Sequence, residues 1–258
     1  MSALTVGVVG KGGVGKTTIA GLIARTYVER GARVIAIDTD SNPNLGLSLG
    51  LSLADTEAIP VLPRSVFFGS AGTSAESLVT EYGRPTPAGP TLLSAIRVNE
   101  AGAGCTCGGH ATVRGMLAGA LTDVDVTLVD MEAGLEHLSR SGGTLAYADV
   151  LVVVCEPTRK SVLTATRTRD LAEELGIPHV VAVGNKSQGS EDVGFFKAAL
   201  SSNGLALAAI LPYDPEIASA DRAGAGAIDI VPPSLGVEIE RLLDVLDDMV
   251  ASSPSLKR

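Results

Sequence analysis

A glycine-rich segment near the start of the chain carries lysines and threonines at a spacing that can bind phosphate. It runs G-K-G-G-V-G-K-T-T, from Gly10 to Thr18. This is the pattern of a phosphate-binding loop, in which glycines let backbone N–H groups turn toward phosphate oxygens. Lys16 can reach the β- and γ-phosphates of a nucleotide, and the Thr17 hydroxyl can join a Mg²⁺ shell. Lys11 is not required by the pattern and is free to reach a nucleotide held by another subunit.

Carboxylates follow two apolar runs that are typical of buried strands. Asp38 and Asp40 follow the run that begins at Ala32, and Asp130 follows the run 124–129. Carboxylates at strand ends beside a phosphate loop suit Mg²⁺ and water. The sequence therefore predicts a Mg²⁺ site, partly through bridging water, at Thr17, Asp38 and Asp130.

Two later strand ends are predicted to bind the nucleotide base. Asn185 offers an amide that can pair with the edge of adenine, and Lys186 follows it. Pro212, Tyr213 and Asp214 follow the last strand and are expected to form the other wall of the base pocket. The residues predicted to contact the nucleotide are Gly10, Lys11, Gly12, Gly13, Val14, Gly15, Lys16, Thr17, Thr18, Asn185, Lys186, Pro212, Tyr213 and Asp214.

Two of the three cysteines lie close together in a loop of small residues. Cys105 and Cys107 stand in A-G-A-G-C-T-C-G-G-H, residues 101–110. Two thiolates are too few for a stable transition-metal site, but a symmetric dimer supplies four. Four thiolates suit Zn²⁺ in a tetrahedron or Ni²⁺ in a square plane, and ligand types alone do not separate the two. His110 is a candidate additional ligand, with a structural role as the alternative.

The elements that position these residues alternate between strand and helix. An apolar strand over 4–9, the glycine-rich turn, a helix over 16–30 and a second strand over 32–37 form one β-turn-α-β unit. Further alternation predicts an α/β fold, a P-loop NTPase with a mostly parallel central sheet and helices on both faces. We expect residues 1–258 to form a single domain, with an irregular Pro- and Gly-rich excursion at about 58–90.

The composition of the chain argues against nucleic acids and membranes as binding partners. The 258 residues carry a formal charge of −9 and only 3% aromatic residues. An acidic chain with few aromatic rings is not expected to bind nucleic acid or anionic membranes. No apolar run approaches the roughly 20 residues that cross a bilayer, and no signal peptide is evident. We therefore expect a cytoplasmic protein with reduced cysteines and without a stable membrane anchor.

The glycine-rich segment resembles the deviant Walker A signature of the dimeric ATPases that include MinD, ParA and the nitrogenase iron protein. The resemblance implies a homodimer that holds ATP between its subunits and hydrolyses it. Lys11 matches the signature lysine that crosses to the partner's ATP, and Lys16 matches the phosphate-loop lysine. Asp40 matches the residue that orients the attacking water. The implied catalytic residues are therefore Lys11, Lys16 and Asp40, while Asp38 assists the metal shell.

Taken together, the motifs look like those of the CooC family, the nickel-inserting ATPases of carbon monoxide dehydrogenase maturation. The distinctive parts are the Cys105 and Cys107 pair, D-M-E-A-G-L-E-H-L at 130–138, and L-P-Y-D-P-E-I-A-S-A-D-R-A-G at 211–224. The resemblance implies a dimeric metallochaperone that uses ATP and Mg²⁺ to deliver Ni²⁺ to a client metalloenzyme. Its Ni²⁺ or Zn²⁺ would bind Cys105 and Cys107 at the dimer interface.

Two alternatives share the nucleotide site. A positioning or partition ATPase of the MinD/ParA kind needs a membrane-binding tail or a basic DNA-binding face, and neither is evident here. An ATP-dependent iron–sulfur reductase like the nitrogenase iron protein needs cluster cysteines, and residues 131–141 contain none.

Overall fold

A computed structural model describes residues 4–64, 74–98, 107–119, 121, 123–134, 138, 143–223 and 231–252. The strands are β1 Leu4–Gly10, β2 Val34–Asp38, β3 Arg84–Pro85, β4 Thr91–Ser94, β5 Val126–Asp130, β6 Val150–Cys155, β7 His179–Ser187 and β8 Ala206–Pro212. The helices are α1 Lys16–Glu29, α2 Leu45–Ser48, α3 Leu53–Glu57, α4 Ala75–Tyr82, α5 Cys107–Ala118, α6 Arg159–Glu174, α7 Ser190–Ser202, α8 Pro215–Ala223 and α9 Pro233–Ser252.

The strands form one sheet in the order β3-β4-β2-β5-β1-β6-β7-β8. Every pairing is parallel except that of the two-residue strand β3 with β4. The predicted α/β fold with a mostly parallel sheet is confirmed. Because parallel strands end at the same edge of a sheet, the loops after β1, β2, β5, β6 and β7 meet at one edge.

The sheet is covered by helices on both faces, which explains the uninterrupted apolar runs of its central strands. On one face α1 and α9 contribute buried side chains such as Ile23 and Leu243. On the other face α5, α6 and α7 contribute side chains such as Met116 and Phe196. This burial makes the central sheet a rigid support for the loops at its carboxyl edge.

The segment predicted to be an irregular excursion, 58–90, contains more regular structure than its composition indicates. Helix α4 begins after Ser74, whose hydroxyl accepts a hydrogen bond from the Ser77 N–H in a capping box. Strand β3 then pairs with β4 along one edge of the sheet, so the description as irregular is wrong for this part. Residues 65–73 of the segment lie outside the described residues.

Across the residues that the structure describes, we find no helix with the length and apolar character needed to span a membrane.

Candidate nucleotide site

The phosphate loop joins β1 to α1 and leaves the start of that helix open. Gly13 and Gly15 have φ angles of 83° and 94°, in the left-handed region that favours glycine. Gly15 precedes α1, and no side chain caps the helix there. The first turn of α1 also carries no acidic residue. The N–H groups and the positive end of the helix dipole therefore remain available to an anion.

Lys16 lies at the centre of this arrangement and is only 7% exposed. Its Nζ donates a hydrogen bond of 3.4 Å to the Lys11 carbonyl. Burial lowers the pKa of Lys16, while the negative charges of Asp130, Asp40 and Glu132 act in the opposite direction. The structure thus brings the predicted catalytic residues Lys16 and Asp40 into one electrostatic cluster. Lys11 is exposed on the same loop.

Two buried carboxylates stand side by side at the ends of β2 and β5. Asp38 and Asp130 are register partners, and each is 1% exposed. The Asp38 carboxylate accepts hydrogen bonds from the backbone N–H groups of Asp40, at 3.0 Å, and Leu45, at 2.9 Å. Burial raises the pKa of Asp38 to about 7 against the effect of these hydrogen bonds. Burial and the neighbouring Asp38 also raise the pKa of Asp130 well above its usual range.

The donor set beside the phosphate loop fits Mg²⁺. Asp130 Oδ1 is buried and has no hydrogen-bond partner among the described residues. The Thr17 hydroxyl is hydrogen-bonded to the Asp130 carboxyl group. A hard divalent cation prefers such oxygen ligands, and its charge would remove the repulsion between Asp38 and Asp130. Thr17 and Asp130 are therefore the residues that would hold Mg²⁺. Each carboxylate oxygen of Asp38 accepts a hydrogen bond from a backbone N–H group and has a second lone pair, so the role of Asp38 in the metal shell stays a prediction.

The loops after β2 and β5 contact each other. The Ser41 hydroxyl donates to Glu132 Oε1 at 2.8 Å, and the Thr39 hydroxyl donates to the Asp130 carbonyl at 2.9 Å. A Cβ atom placed on Gly12 of the phosphate loop would lie 3.6 Å from the Ala133 Cβ. The phosphate loop and the loops after β2 and β5 therefore lie against one another at this edge of the sheet.

Asn185 and Lys186 bind the phosphate loop itself. The Asn185 side-chain amide donates to the Val14 carbonyl at 2.8 Å, and Lys186 Nζ donates to the Gly13 carbonyl at 2.6 Å. The pairing of Asn185 with adenine stays a prediction, and one of the two N–H donors of its amide is used in the bond to Val14.

Pro212, Tyr213 and Asp214 follow β8 beside the end of β7. The Tyr213 N–H donates to the Ser187 carbonyl at 2.8 Å, and the Tyr213 side chain is 46% exposed. A cleft of about 920 Å³ extends along β8 and is lined by residues 187–189, Pro212 and Tyr213 together with side chains of β8, α7 and α9, and no residue of the phosphate loop is among its lining residues. Asp214 accepts a hydrogen bond from the Glu216 N–H and so fixes the start of α8. Their contact with a base remains a prediction.

The cysteine pair is only partly described. Cys107 is the first residue of α5 and is half-buried, whereas Cys105 lies outside the described residues. Cys107 is disulfide-bonded in the structure, so a thiolate ligand at this position requires reduction. His110, one turn further along α5, is 3% exposed. Among the described residues, no group of three or more His, Cys, Asp and Glu side chains is arranged to hold a metal ion.

Comparison with known proteins agrees with this geometry. Residues 6–227 match the CobQ/CobB/MinD/ParA nucleotide binding domain. The chain belongs to this family. It is therefore a P-loop ATPase, and the predicted ATPase activity is confirmed.

Within the CobQ/CobB/MinD/ParA family, the chain has relatives along nearly its whole length. The carbon monoxide dehydrogenase accessory protein CooC of Rhodospirillum rubrum is 35% identical over 89% of this chain and 91% of its own. An uncharacterised ATP-binding protein of Methanocaldococcus jannaschii is 32% identical, over 86% of this chain and 90% of its own. The predicted resemblance to the CooC family is confirmed.

The fold is similar to that of the septum site-determining protein MinD from Pyrococcus horikoshii OT3, which was solved in complex with Mg-ADP. The TM-score is 0.74 over 98% of this chain and all of that one, at 19% identity. This likeness shows the fold alone.

The structure places three further residues at the site, of which Glu132 belongs to the distinctive segment 130–138 and the other two were not predicted from the sequence. Ser41 and Glu132 join the loops after β2 and β5, and Glu156 Oε1 lies 2.6 Å from Lys186 Nζ. Glu156 directly follows the buried strand β6, so the strand-end argument that located Asp38 and Asp130 also applies to it. Ser41 offered no comparable signal, because its partner is distant in sequence.

Proposed function

We propose that this ATPase is a dimeric metallochaperone that delivers nickel to a metalloenzyme of the carbon monoxide dehydrogenase kind. The observation that carries the proposal is similarity to the accessory protein CooC over 89% of the chain. The C-T-C sequence at 105–107 supplies soft ligands suited to such a cargo.

The residues at the carboxyl edge of the sheet have different roles in ATP hydrolysis. The open start of α1 and Lys16 bind the phosphates, and Thr17 and Asp130 hold Mg²⁺, which neutralises phosphate charge when bound. Asp40 orients the attacking water, because phosphoryl transfer needs positioning more than strong basicity. The loops after β2 and β5, which are joined by the hydrogen bond between Ser41 and Glu132, respond when the γ-phosphate leaves.

A backbone contact supports a route from the nucleotide to the cysteine segment. The Val98 N–H donates to the Ser41 carbonyl at 3.1 Å, and Ala95 N–H donates to the Asp38 carbonyl at 2.8 Å. The chain beyond Val98 leads to Cys105 and Cys107. The far side of the segment is also attached, since the Thr112 hydroxyl on α5 donates to the Pro63 carbonyl at 2.8 Å. In this proposal, movement of the loop after β2 is passed to Val98, from which the chain continues toward the two cysteines.

Lys11 is expected to act across the dimer. It is exposed at the tip of the phosphate loop, while Lys16 occupies the interior position. Lys11→Ala should leave the Kd of each protomer for ADP within about threefold of the parent, because the phosphate-binding N–H groups and Lys16 remain. Turnover should fall about 100-fold, the scale expected for a cation supplied to the transition state. ADP titration and steady-state ATPase assays check this, and analytical ultracentrifugation with ATP checks the loss of dimer.

A metal titration of reduced protein tests the proposed cargo site. With size-exclusion chromatography and metal analysis, we expect one Ni²⁺ or Zn²⁺ per dimer in the parent and none in Cys105→Ser/Cys107→Ser. Cys155→Ala is the matched control, because Cys155 is a free buried thiol on β6. Both variants should still bind ADP. If the double variant retains one metal per dimer with the parent affinity, the site assignment is wrong.

The same titration addresses the alternative of a positioning or partition ATPase. A dimer that forms with ATP but binds no metal would favour that class. Binding to DNA or to anionic liposomes at moderate salt would then identify its partner.

A further inference from the structure

Glu156 and Lys186 form an ion pair that rests on the phosphate loop. Lys186 Nζ lies 2.6 Å from Glu156 Oε1 and donates to the Gly13 carbonyl at 2.6 Å. The order of the strands explains why these three groups lie together, because β6 lies between β1 and β7 in the sheet. Glu156 follows β6, Lys186 lies near the end of β7, and the phosphate loop follows β1.

Both partners are held in place by their own backbones. The Glu156 N–H donates to the Ser161 hydroxyl at 3.0 Å, which ties the residue to the start of α6. Lys186 has a φ of 59°, a left-handed conformation that is uncommon for a residue with a side chain. Such a conformation persists when the surroundings determine it, and it is often found at functional sites.

The ion pair provides a hydrogen-bond donor for a carbonyl group of the phosphate loop. A phosphate loop turns its N–H groups inward to the anion, so its carbonyl groups need partners on the outside. Adjacent residues at the end of β7 supply them, with Asn185 bound to the Val14 carbonyl and Lys186 to that of Gly13. Gly15 also faces Asn185, since a Cβ there would lie 2.6 Å from the amide nitrogen. These contacts fix the loop before any nucleotide arrives.

We propose that Lys186 and Glu156 are positioning residues for nucleotide binding: Lys186 holds the Gly13 carbonyl, and Glu156 holds Lys186 in that place. This inference concerns the nucleotide site alone and is independent of the metal cargo. Preorganising the loop lowers the cost of ordering it on binding, so the effect appears as affinity for ATP and ADP.

The direction in which Glu156→Gln changes the Kd for ADP distinguishes a positioning role of Glu156 from a purely electrostatic effect of its charge. Glu156→Gln removes a negative charge near the phosphates, so long-range electrostatics alone would tighten nucleotide binding. Positioning requires the opposite result, because the lysine is held less firmly by a neutral amide. We expect the Kd for ADP to rise about threefold in Glu156→Gln and about tenfold in Lys186→Met, the scale of a charge-assisted hydrogen bond.

Two further variants complete the experiment. Lys186→Arg keeps a donor for both oxygens and should return the Kd for ADP to within about threefold of the parent. The double variant Glu156→Gln/Lys186→Met should have the same Kd for ADP as Lys186→Met alone, because Glu156 acts through the Lys186 ammonium group, which is then absent. Lys160→Met is the control: it makes the same chemical change at an exposed lysine of α6, for which the structure shows no hydrogen bond to the phosphate loop. The thermal midpoint of each nucleotide-free variant shows that folding is intact.

Fluorescence titration with a labelled ADP measures each Kd, and steady-state assays separate KM from kcat. The proposal is overturned if Glu156→Gln binds ADP as tightly as the parent or more tightly. It is also overturned if Lys186→Met behaves like Lys160→Met, or if the effects in the double variant simply add.

Discussion

Replacing Lys16 with alanine should weaken ADP and ATP binding at least about 100-fold while the nucleotide-free protein stays folded. Lys16 is the cation that faces Asp130, Asp40 and Glu132 at the centre of the site. Without it, nucleotide phosphates would approach three carboxylates with no positive side chain between them. The folded protein does not depend on this ammonium group for stability, because burial disfavours its charged form and lowers its pKa.

Isothermal titration with ADP and a thermal melt without nucleotide measure the two parts of this prediction. Lys160→Ala is the control, because Lys160 is exposed on α6. It should bind ADP as the parent does. A Lys16→Ala variant whose Kd for ADP stays within about threefold of the parent would contradict the assignment of Lys16 as the phosphate-binding lysine.

The carboxyl edge of the sheet was predictable because a general rule locates it. In a parallel sheet, side chains that follow buried strands must gather at one edge, and Asp38 and Asp130 did so as register partners. The phosphate loop was predictable for a related reason, since its pattern specifies a strand before it and a helix after it. The same rule applied to β6 would have included Glu156.

What those side chains bind was less accessible to sequence reasoning. The role of Asp38 in the metal shell stays a prediction, and the sequence did not indicate that its oxygens also accept hydrogen bonds from the N–H groups of Asp40 and Leu45. That outcome depends on the path of the loop after β2, which no periodicity encodes. The contacts of Asn185 and Lys186 likewise depend on the left-handed backbone at Lys186, an uncommon conformation for lysine.

The segment 58–90 shows how composition can obscure a local signal. Its prolines and glycines favoured an irregular interpretation. Within it, Ser74 and Ser77 provide a helix cap, and Leu78 and Tyr82 lie four residues apart on one face. The cap and the spacing were a more specific signal for α4 than the count of helix-breaking residues around it.

The buried carboxylates Asp38 and Asp130 should make the free energy of unfolding depend on pH. In the Mg²⁺- and nucleotide-free protein, burial raises the pKa of Asp38 from 3.8 to about 7, and burial together with the neighbouring Asp38 raises the pKa of Asp130 well above its usual range. Between those values the native state binds more protons than the unfolded chain. The free energy of unfolding contributed by the pair is therefore greatest below about pH 4 and falls as pH rises through 7.

The substitution Asp130→Asn should remove most of this pH-dependent fall in the free energy of unfolding. At about pH 4 both carboxyl groups are protonated and the variant should resemble the parent. At a pH high enough to ionise both carboxyl groups of the parent, the variant should be more stable by about 2 kcal/mol, because one buried charge and its repulsion with Asp38 are gone. Urea unfolding in a chelator across this pH range measures the difference, with exposed Asp248→Asn on α9 as the control that should show none.

The gain in stability at Asp130 should come with a loss of activity. The substitution removes a buried carboxylate beside Thr17, so Mg²⁺-dependent ATP turnover should fall although the protein unfolds less readily. An excess of Mg²⁺ should stabilise the parent and have little effect on Asp130→Asn, because only the parent has a carboxyl group at this position that can ionise to bind the cation. Equal stabilisation of both proteins by Mg²⁺ would show that the cation binds elsewhere and that the buried pair serves another purpose.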